Sequence, residues 1–266
     1  MTRWLIAFDL DDSLLMENGA VHEKLKFKLR ELQKNDNVLL FASGRSDYSI
    51  TNVISTIGLN EENIYTSAYN GALLKYGRKE IFSEKLKQED IKKLMNYIYT
   101  NDLYAQSYID EFIVYETENE YTEIEQNITG QQKKKVKSLM EASQSYPKLM
   151  GLGHPSLIRE VLDNTTNDLK NDYNITITKP YFLEMMKKNI SKAKSVNLII
   201  DREKIDHKKT MAFGDSHNDI QMLEAVSINV AVDNAIKEVK DVCNFKTLSN
   251  NDNGIYEFLI NFKDWS

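Results

Sequence analysis

What most constrains this 266-residue chain is an alternation that recurs near both of its ends, short apolar runs of strand length each followed by a helical pattern. Trp4-Leu5-Ile6-Ala7-Phe8 reads as a buried strand, and Leu25, Leu29 and Leu32 then fall on one helical face at spacings of four and three. Val38-Leu39-Leu40-Phe41-Ala42 repeats the pattern. It precedes a helix carrying Ile50, Val53, Ile54 and Ile57, which Gly58 ends. Ile64-Tyr65-Thr66-Ser67 is a third, weaker strand. Residues 210–213 and 228–232 are further strands, with helices around Ile220, Met222 and Leu223 and around Ile236 and Val239. Such alternation predicts an α/β fold with a Rossmann-like, open, mainly parallel sheet covered by helices.

The middle of the chain reads differently. Residues 72–81 form a hairpin turning at Gly77. Beyond it the sequence is polar and tyrosine-rich, with strands at 111–115 and 174–178. One helix there carries Ile91, Leu94, Met95 and Ile98, and another carries Leu157, Ile158, Val161 and Leu162 after Pro155. The expected organisation is a core of residues 1–82 plus 189–266, interrupted by an inserted α+β domain at 83–188.

A net charge of -6 argues against a general affinity for nucleic acid or for anionic membranes. The lysine cluster Lys133-Lys134-Lys135 with Lys137 is expected to be a solvated helix face. The single cysteine, Cys243, excludes an internal disulfide and fits a reducing compartment. Its setting, Val242-Cys243-Asn244-Phe245, reads as a short buried strand. The N-terminus has no signal-peptide pattern and no stretch approaches a membrane span, so the expected location is cytoplasmic.

Ligands of open parallel sheets bind beyond the carboxyl ends of the strands, near a topological switch point. That rule selects Asp9 and Asp11 after the first strand, Ser43-Gly44-Arg45 after the second, and Gly214-Asp215-Ser216-His217-Asn218-Asp219 after the late one. Ser191-Lys192 opens the helix that contains Val196, Ile199 and Ile200. Two residues apart at a strand end, Asp9 and Asp11 can point the same way. One carboxylate can then attack phosphorus while the other protonates the departing oxygen. Taken alone, such a pair is most often an acidic surface turn. A calcium loop fails, because its glycine position would be Leu14 and its glutamate position Ala20.

Charge points to a metal. Asp9, Asp11, Asp12, Asp215 and Asp219 face only Arg45 and Lys192, so a phosphate dianion needs an intervening cation. Oxygen-only ligands select a hard ion, Mg²⁺, bridging Asp9, Asp215 and a phosphate oxygen. The Ser43 hydroxyl and the N–H groups around Gly44 can donate to phosphate, and Lys192 adds a fixed positive charge.

With these pieces in order, the sequence resembles the haloacid dehalogenase-like superfamily, in its Cof-type sugar-phosphatase branch. The matching segments are Asp9-Leu10-Asp11-Asp12-Ser13, Ala42-Ser43-Gly44-Arg45, Asn70-Gly71-Ala72, Ser191-Lys192, the 214–223 run and Val230-Ala231-Val232-Asp233-Asn234. The resemblance implies that Asp9 forms an aspartyl-phosphate and that Asp11 is general acid and then base. Mg²⁺ would sit on the Asp9 side chain, the Asp11 carbonyl and Asp215, with Asp219 in support. Ser43, Gly44, Lys192 and Asn218 would bind phosphate, with Arg45, Asn70 and Asn234 near the substrate or one layer behind it. The inserted domain would be the cap that selects the substrate, a small phosphorylated metabolite such as a sugar phosphate. The alternatives are a phosphomutase and, less readily, a non-catalytic phosphate-ligand sensor. Four positions depart from the family pattern. Asp12 and Asp233 stand where glycine is usual, Ser13 stands where threonine is usual and keeps the hydroxyl, and Ala193 follows Lys192 where glycine is common.

Overall fold

The computed structural model describes residues 3–141, 145–263 and 265. From the N-terminus the elements are β1 (Leu5–Asp9), α1 (Glu23–Lys34), β2 (Val38–Ala42), α2 (Asp47–Ile57), β3 (Tyr65–Ala68), β4 (Leu73–Tyr76) and β5 (Lys79–Ser83). Next come α3 (Gln88–Thr100), β6 (Tyr104–Ile109), β7 (Phe112–Tyr115), α4 (Glu120–Thr129), β8 (Gln132–Lys135) and β9 (Leu149–Leu152). Then follow α5 (Pro155–Asp163), α6 (Asn167–Asp172), β10 (Tyr173–Lys179) and β11 (Phe182–Lys187). The chain ends with α7 (Lys192–Glu203), β12 (Thr210–Gly214), α8 (Ile220–Glu224), β13 (Ile228–Ala231), α9 (Lys237–Val242), β14 (Phe245–Lys246) and α10 (Gly254–Asn261). Two compact units result, Met1–Phe82 with Ser191–Ser266, and Ser83–Ile190.

The first unit is the open, mainly parallel sheet that the alternation predicts. Its strand order is β14-β13-β12-β1-β2-β3-β4-β5. The six strands from β14 to β3 run parallel, and β4 returns antiparallel to β3. Every residue of β1, β2 and β12 is buried, which is why these strands read as unbroken apolar runs rather than as alternating ones. Phe8 stacks between Phe41 and Phe213, at centroid distances of 5.5 and 5.6 Å. Each of these side chains contributes roughly 1.5–3 kcal/mol through burial. Because β1 lies between β2 and β12, the sheet grows outward from it in both directions. The switch point therefore falls at the carboxyl ends of β1 and β12.

The second unit is a six-stranded sheet of order β10-β11-β9-β6-β7-β8, antiparallel except for β7 with β8. One of its faces carries an apolar cluster. Ala105, Leu149, Leu183 and Met185 from the strands meet Ile91, Leu94, Met95 and Ile98 of α3 and Ile158 and Val161 of α5.

Two sequence expectations are corrected. Lys133, Lys134 and Lys135 are not on a helix; they belong to β8, the last strand of the second sheet. A lysine-rich edge strand resists pairing with another chain, which explains the composition without a helix. Cys243 is not in a buried strand. It follows the end of α9 and is only half-buried, and the strand nearby is Phe245–Lys246, whose residues are exposed. Among the described residues no helix is long and apolar enough to cross a membrane.

Candidate active site

The site is assembled from strand ends and one helix start in the first unit. Asp9 is the last residue of β1 and is 4% exposed. Lys192, the first residue of α7, is fully buried and donates to Asp9 Oδ1 at 2.5 Å and to Asp219 Oδ1 at 2.6 Å. A buried ammonium at the positive end of a helix is doubly unfavourable, so it needs both carboxylates. Asp219 is itself fully buried, and its Oδ2 accepts the N–H groups of Asp215 and Ser216, both at 3.1 Å. The turn that holds Asp219 depends on Gly214, since a Cβ there would come within 2.7 Å of the Asp219 Cβ.

Asp215 follows β12, and its Oδ1 accepts from the Ser13 hydroxyl at 2.9 Å. Ser13 is reached through Asp12, whose φ of 58° and ψ of 7° lie in the left-handed region. Aspartate tolerates that region better than most residues, which is how it stands where glycine is usual. The sequence reading assigned Ser13 no role beyond keeping a hydroxyl. Its burial at 1% and its bond to Asp215 make it a positioning residue for that carboxylate.

The two aspartates of the opening run have different partners. Asp9 joins Asp215 and Asp219, and one carboxylate oxygen from each lies within 4.8 Å of the other two. The Asp11 side chain is instead half-exposed and held by Arg45, with Nη2 at 2.5 Å and Nε at 3.0–3.1 Å, and by the Ser43 hydroxyl at 3.3 Å. Ser43 Oγ also accepts the Arg45 N–H at 3.0 Å, so the turn after β2 is locked on its own side chain.

The remaining predicted residues form a rim. Asn70 donates its N–H to Ser43 O at 2.9 Å, and its side-chain amide lies 3.3 Å from where a Cβ on Gly44 would sit. Asn70 Oδ1 accepts from Asn218 Nδ2 at 3.0 Å, which links the turns after β3 and β12. Asn234 donates to Asp12 O at 2.6 Å and accepts the Asn250 N–H at 3.0 Å, so it braces the acidic loop from behind.

Charge follows geometry. Burial raises the Asp9 pKa well above the ordinary carboxylate range, and Asp219, Asp215 and Asp11 add to the rise while Lys192 opposes it. Burial, then the Asp219 charge, push Asp215 up to about 6, and the Ser13 hydrogen bond pulls it back. Burial works against the Lys192 charge, but Asp219 and Asp9 outweigh it and hold the ammonium above the usual lysine range. Three buried carboxylates thus cluster beside one buried ammonium, which pairs with Asp9 and Asp219. An oxygen-only, electron-rich donor set of this kind fits a hard dication. Asp219 is already engaged at both oxygens, which leaves Asp9 and Asp215 as the side chains that could hold such an ion.

A parallel sheet with carboxylates and an ammonium at its switch point places the chain among α/β enzymes that bind ligands beyond the strand ends. It belongs to the haloacid dehalogenase-like hydrolase family, whose model matches residues 6–259. The protein provisionally named phosphatase YxeH, from Bacillus subtilis (strain 168), is 28% identical over 264 residues, covering 94% of this chain and 95% of its own. The crystal structure of TM0651 from Thermotoga maritima superimposes with a TM-score of 0.90 at 28% identity, covering 98% of both chains. A haloacid dehalogenase-like hydrolase from Bacteroides thetaiotaomicron has the same fold, with a TM-score of 0.90 at 24% identity over 97% of this chain and 99% of that one.

Proposed function

We propose that this hydrolase is a Mg²⁺-dependent phosphatase that cleaves small phosphomonoesters, sugar phosphates among them, with Asp9 as the nucleophile. The observation that carries the reading is the bond from Lys192 to Asp9 Oδ1 at a strand end, which orients the carboxylate. The name of the Bacillus relative supports phosphatase chemistry. A second relative, 20% identical over 96% of this chain, is named as a phosphatase of 5-amino-6-(5-phospho-D-ribitylamino)uracil, whose phosphate sits on a polyol chain.

In the proposed reaction an Asp9 oxygen bonds to phosphorus and the ester P–O bond breaks. Asp11 gives its proton to the departing alkoxide, and the phosphoryl group stays on Asp9. Water then attacks the aspartyl-phosphate, Asp11 takes its proton, and inorganic phosphate leaves with Asp9 regenerated. Lys192 and the Ser43 hydroxyl would neutralise charge on the transferring group, with the Gly44 N–H in the same turn. Arg45 keeps Asp11 in place before substrate arrives and must loosen its hold for the proton transfer. Asp9, Asp215 and the Asp11 carbonyl would hold Mg²⁺, which when bound polarises the phosphoryl oxygens and offsets their charge. The inserted unit would act as the substrate-selecting cap. The single cysteine fits action in a reducing cytoplasm.

The deciding experiment is phosphate release by Asp9→Asn with para-nitrophenyl phosphate and a panel of sugar phosphates. Activity should fall by about 10⁴-fold or more, as for loss of a covalent nucleophile. A variant that still turns over at wild-type rate would refute the mechanism.

A further inference from the structure

Lys192 reaches Asp9 only while the first turn of α7 is held still, yet that turn lacks the restraints a helix start ordinarily builds for itself. The Ser191 side chain makes no capping hydrogen bond, and no acidic residue occupies the first turn. The restraint comes from β3 instead. Ser195 lies three residues beyond Lys192, on the same side of the helix, and is 1% exposed. Its hydroxyl shares a hydrogen bond of 2.7 Å with that of Ser67, which is fully buried in β3. The Ser67 carbonyl, in turn, accepts the Ser43 N–H at 2.9 Å. One residue thus touches both the turn after β2 and the helix that carries Lys192.

The turn after β3 repeats this bridge through the backbone. Tyr69, Asn70 and Gly71 have φ of 53°, 56° and 102°, three left-handed residues in succession. Such a run persists only where its surroundings fix it. On one side the Tyr69 and Asn70 N–H groups donate to Arg45 O and Ser43 O, both at 2.9 Å. On the other, Gly71 packs against the start of α7, where a Cβ would come within 2.2 Å of Ser191 O.

We infer that Ser67 is a positioning residue, which sets the separation of Ser43 and Lys192 through its carbonyl and its hydroxyl, with Ser195 as its partner on α7. The inference rests on the phosphatase reading above, in which Ser43 and Lys192 meet the transferring phosphoryl group. A hydroxyl pair suits the task because its strength depends on distance and direction, whereas apolar packing is non-directional. Misplacing a group by about 1 Å can cost about a hundredfold in rate.

The test compares the full-length wild type, Ser67→Ala and the double variant Ser67→Ala/Ser195→Ala, by Tm and by kcat/KM for para-nitrophenyl phosphate with Mg²⁺. Ser67→Ala should lower Tm, because it strips the buried Ser195 hydroxyl of this partner. The double variant leaves neither hydroxyl unmatched and should regain most of that loss. Its kcat/KM should nevertheless stay down by about tenfold, since the register of α7 is no longer set. On a Lys192→Met background the same double change should cost less than about twofold, because the group it positions is gone. Wild-type kcat/KM in the double variant would overturn the inference, and so would a tenfold fall that persists without Lys192. A further measurement is independent of the Lys192 variant. Calorimetry with inorganic phosphate should give the double variant a Kd about tenfold above that of wild type, and an equal Kd would reject the positioning role. A wild type that binds inorganic phosphate but cleaves no ester would refute the phosphatase reading, and the Kd comparison would then decide the positioning role alone. If wild type neither binds nor cleaves, both fail.

Discussion

At the scale of single residues, what the strand-end rule can locate is the backbone address of a side chain, not its direction. Asp9, Ser43, Asp215 and Lys192 were all legible because each sits at a strand end or helix start that apolar runs mark in the sequence. The pairing of Asp11 with Arg45, and of Ser13 with Asp215, was not legible, because it depends on side-chain direction in irregular loops. Gly214 makes this scale testable. Gly214→Ala would drive a Cβ into Asp219 at 2.7 Å, and the neighbour is the stem of a fully buried, fully engaged side chain. Such overpacking typically costs about 1–3 kcal/mol. Thermal denaturation should show a lower Tm than wild type, together with reduced activity through displacement of Asp219 and Lys192. An unchanged Tm would mean the turn has room that the geometry denies.

Elements were legible where burial is apolar and illegible where it is polar. The β1, β2 and β12 strands announce themselves as apolar runs, whereas α4 buries Thr122, Glu125 and Thr129, which leave no hydrophobic period to read. For β8, identity comes from pairing with β7, Phe112 opposite Gln132 through Tyr115 opposite Lys135, and no local pattern records it. The start of α3 illustrates how polar contacts fix an element. Asp90 accepts from Lys87 N–H at 2.8 Å, from Tyr173 Oη at 2.8 Å and from Lys187 Nζ at 2.7 Å. Burial alone would raise its pKa, but the Lys187, Lys87 and Tyr173 hydrogen bonds prevail and hold it below the ordinary range. A depressed carboxylate stabilises the fold above its unfolded pKa and loses that contribution as pH falls through the folded one. Asp90→Asn should therefore cost about 1–3 kcal/mol at neutral pH, with the gap to wild type closing below about pH 4. Urea titrations at pH 7 and pH 3 measure this, and an equal gap at both would rule out the charge as its source.

For the whole molecule, the sequence indicated a parallel sheet but not that β12 would lie beside β1, and it is this adjacency that crowds Asp9, Asp215 and Asp219 together. Crowding them has a consequence for stability. Asp215 is raised to about 6 by burial and by Asp219, so between the ordinary carboxylate range and about pH 6 the folded protein binds a proton that the unfolded chain releases. Stability contributed by that proton is fully present below the unfolded pKa and is lost as pH rises through about 6. A divalent ion held by Asp9 and Asp215 would reverse the balance, because it needs the carboxylate ionised and would favour the folded state. Without metal, the pH 5 to pH 7 difference in Tm should thus be less favourable at pH 7 for wild type than for Asp215→Asn. Millimolar Mg²⁺ should raise the wild-type Tm more at pH 7 than at pH 5, with about 2.7 kcal/mol of stabilisation at one hundred times its Kd. EDTA should abolish that increment along with phosphate release. Asp215→Asn should show little Mg²⁺ stabilisation at either pH, and a variant stabilised as strongly as wild type would place the ion elsewhere.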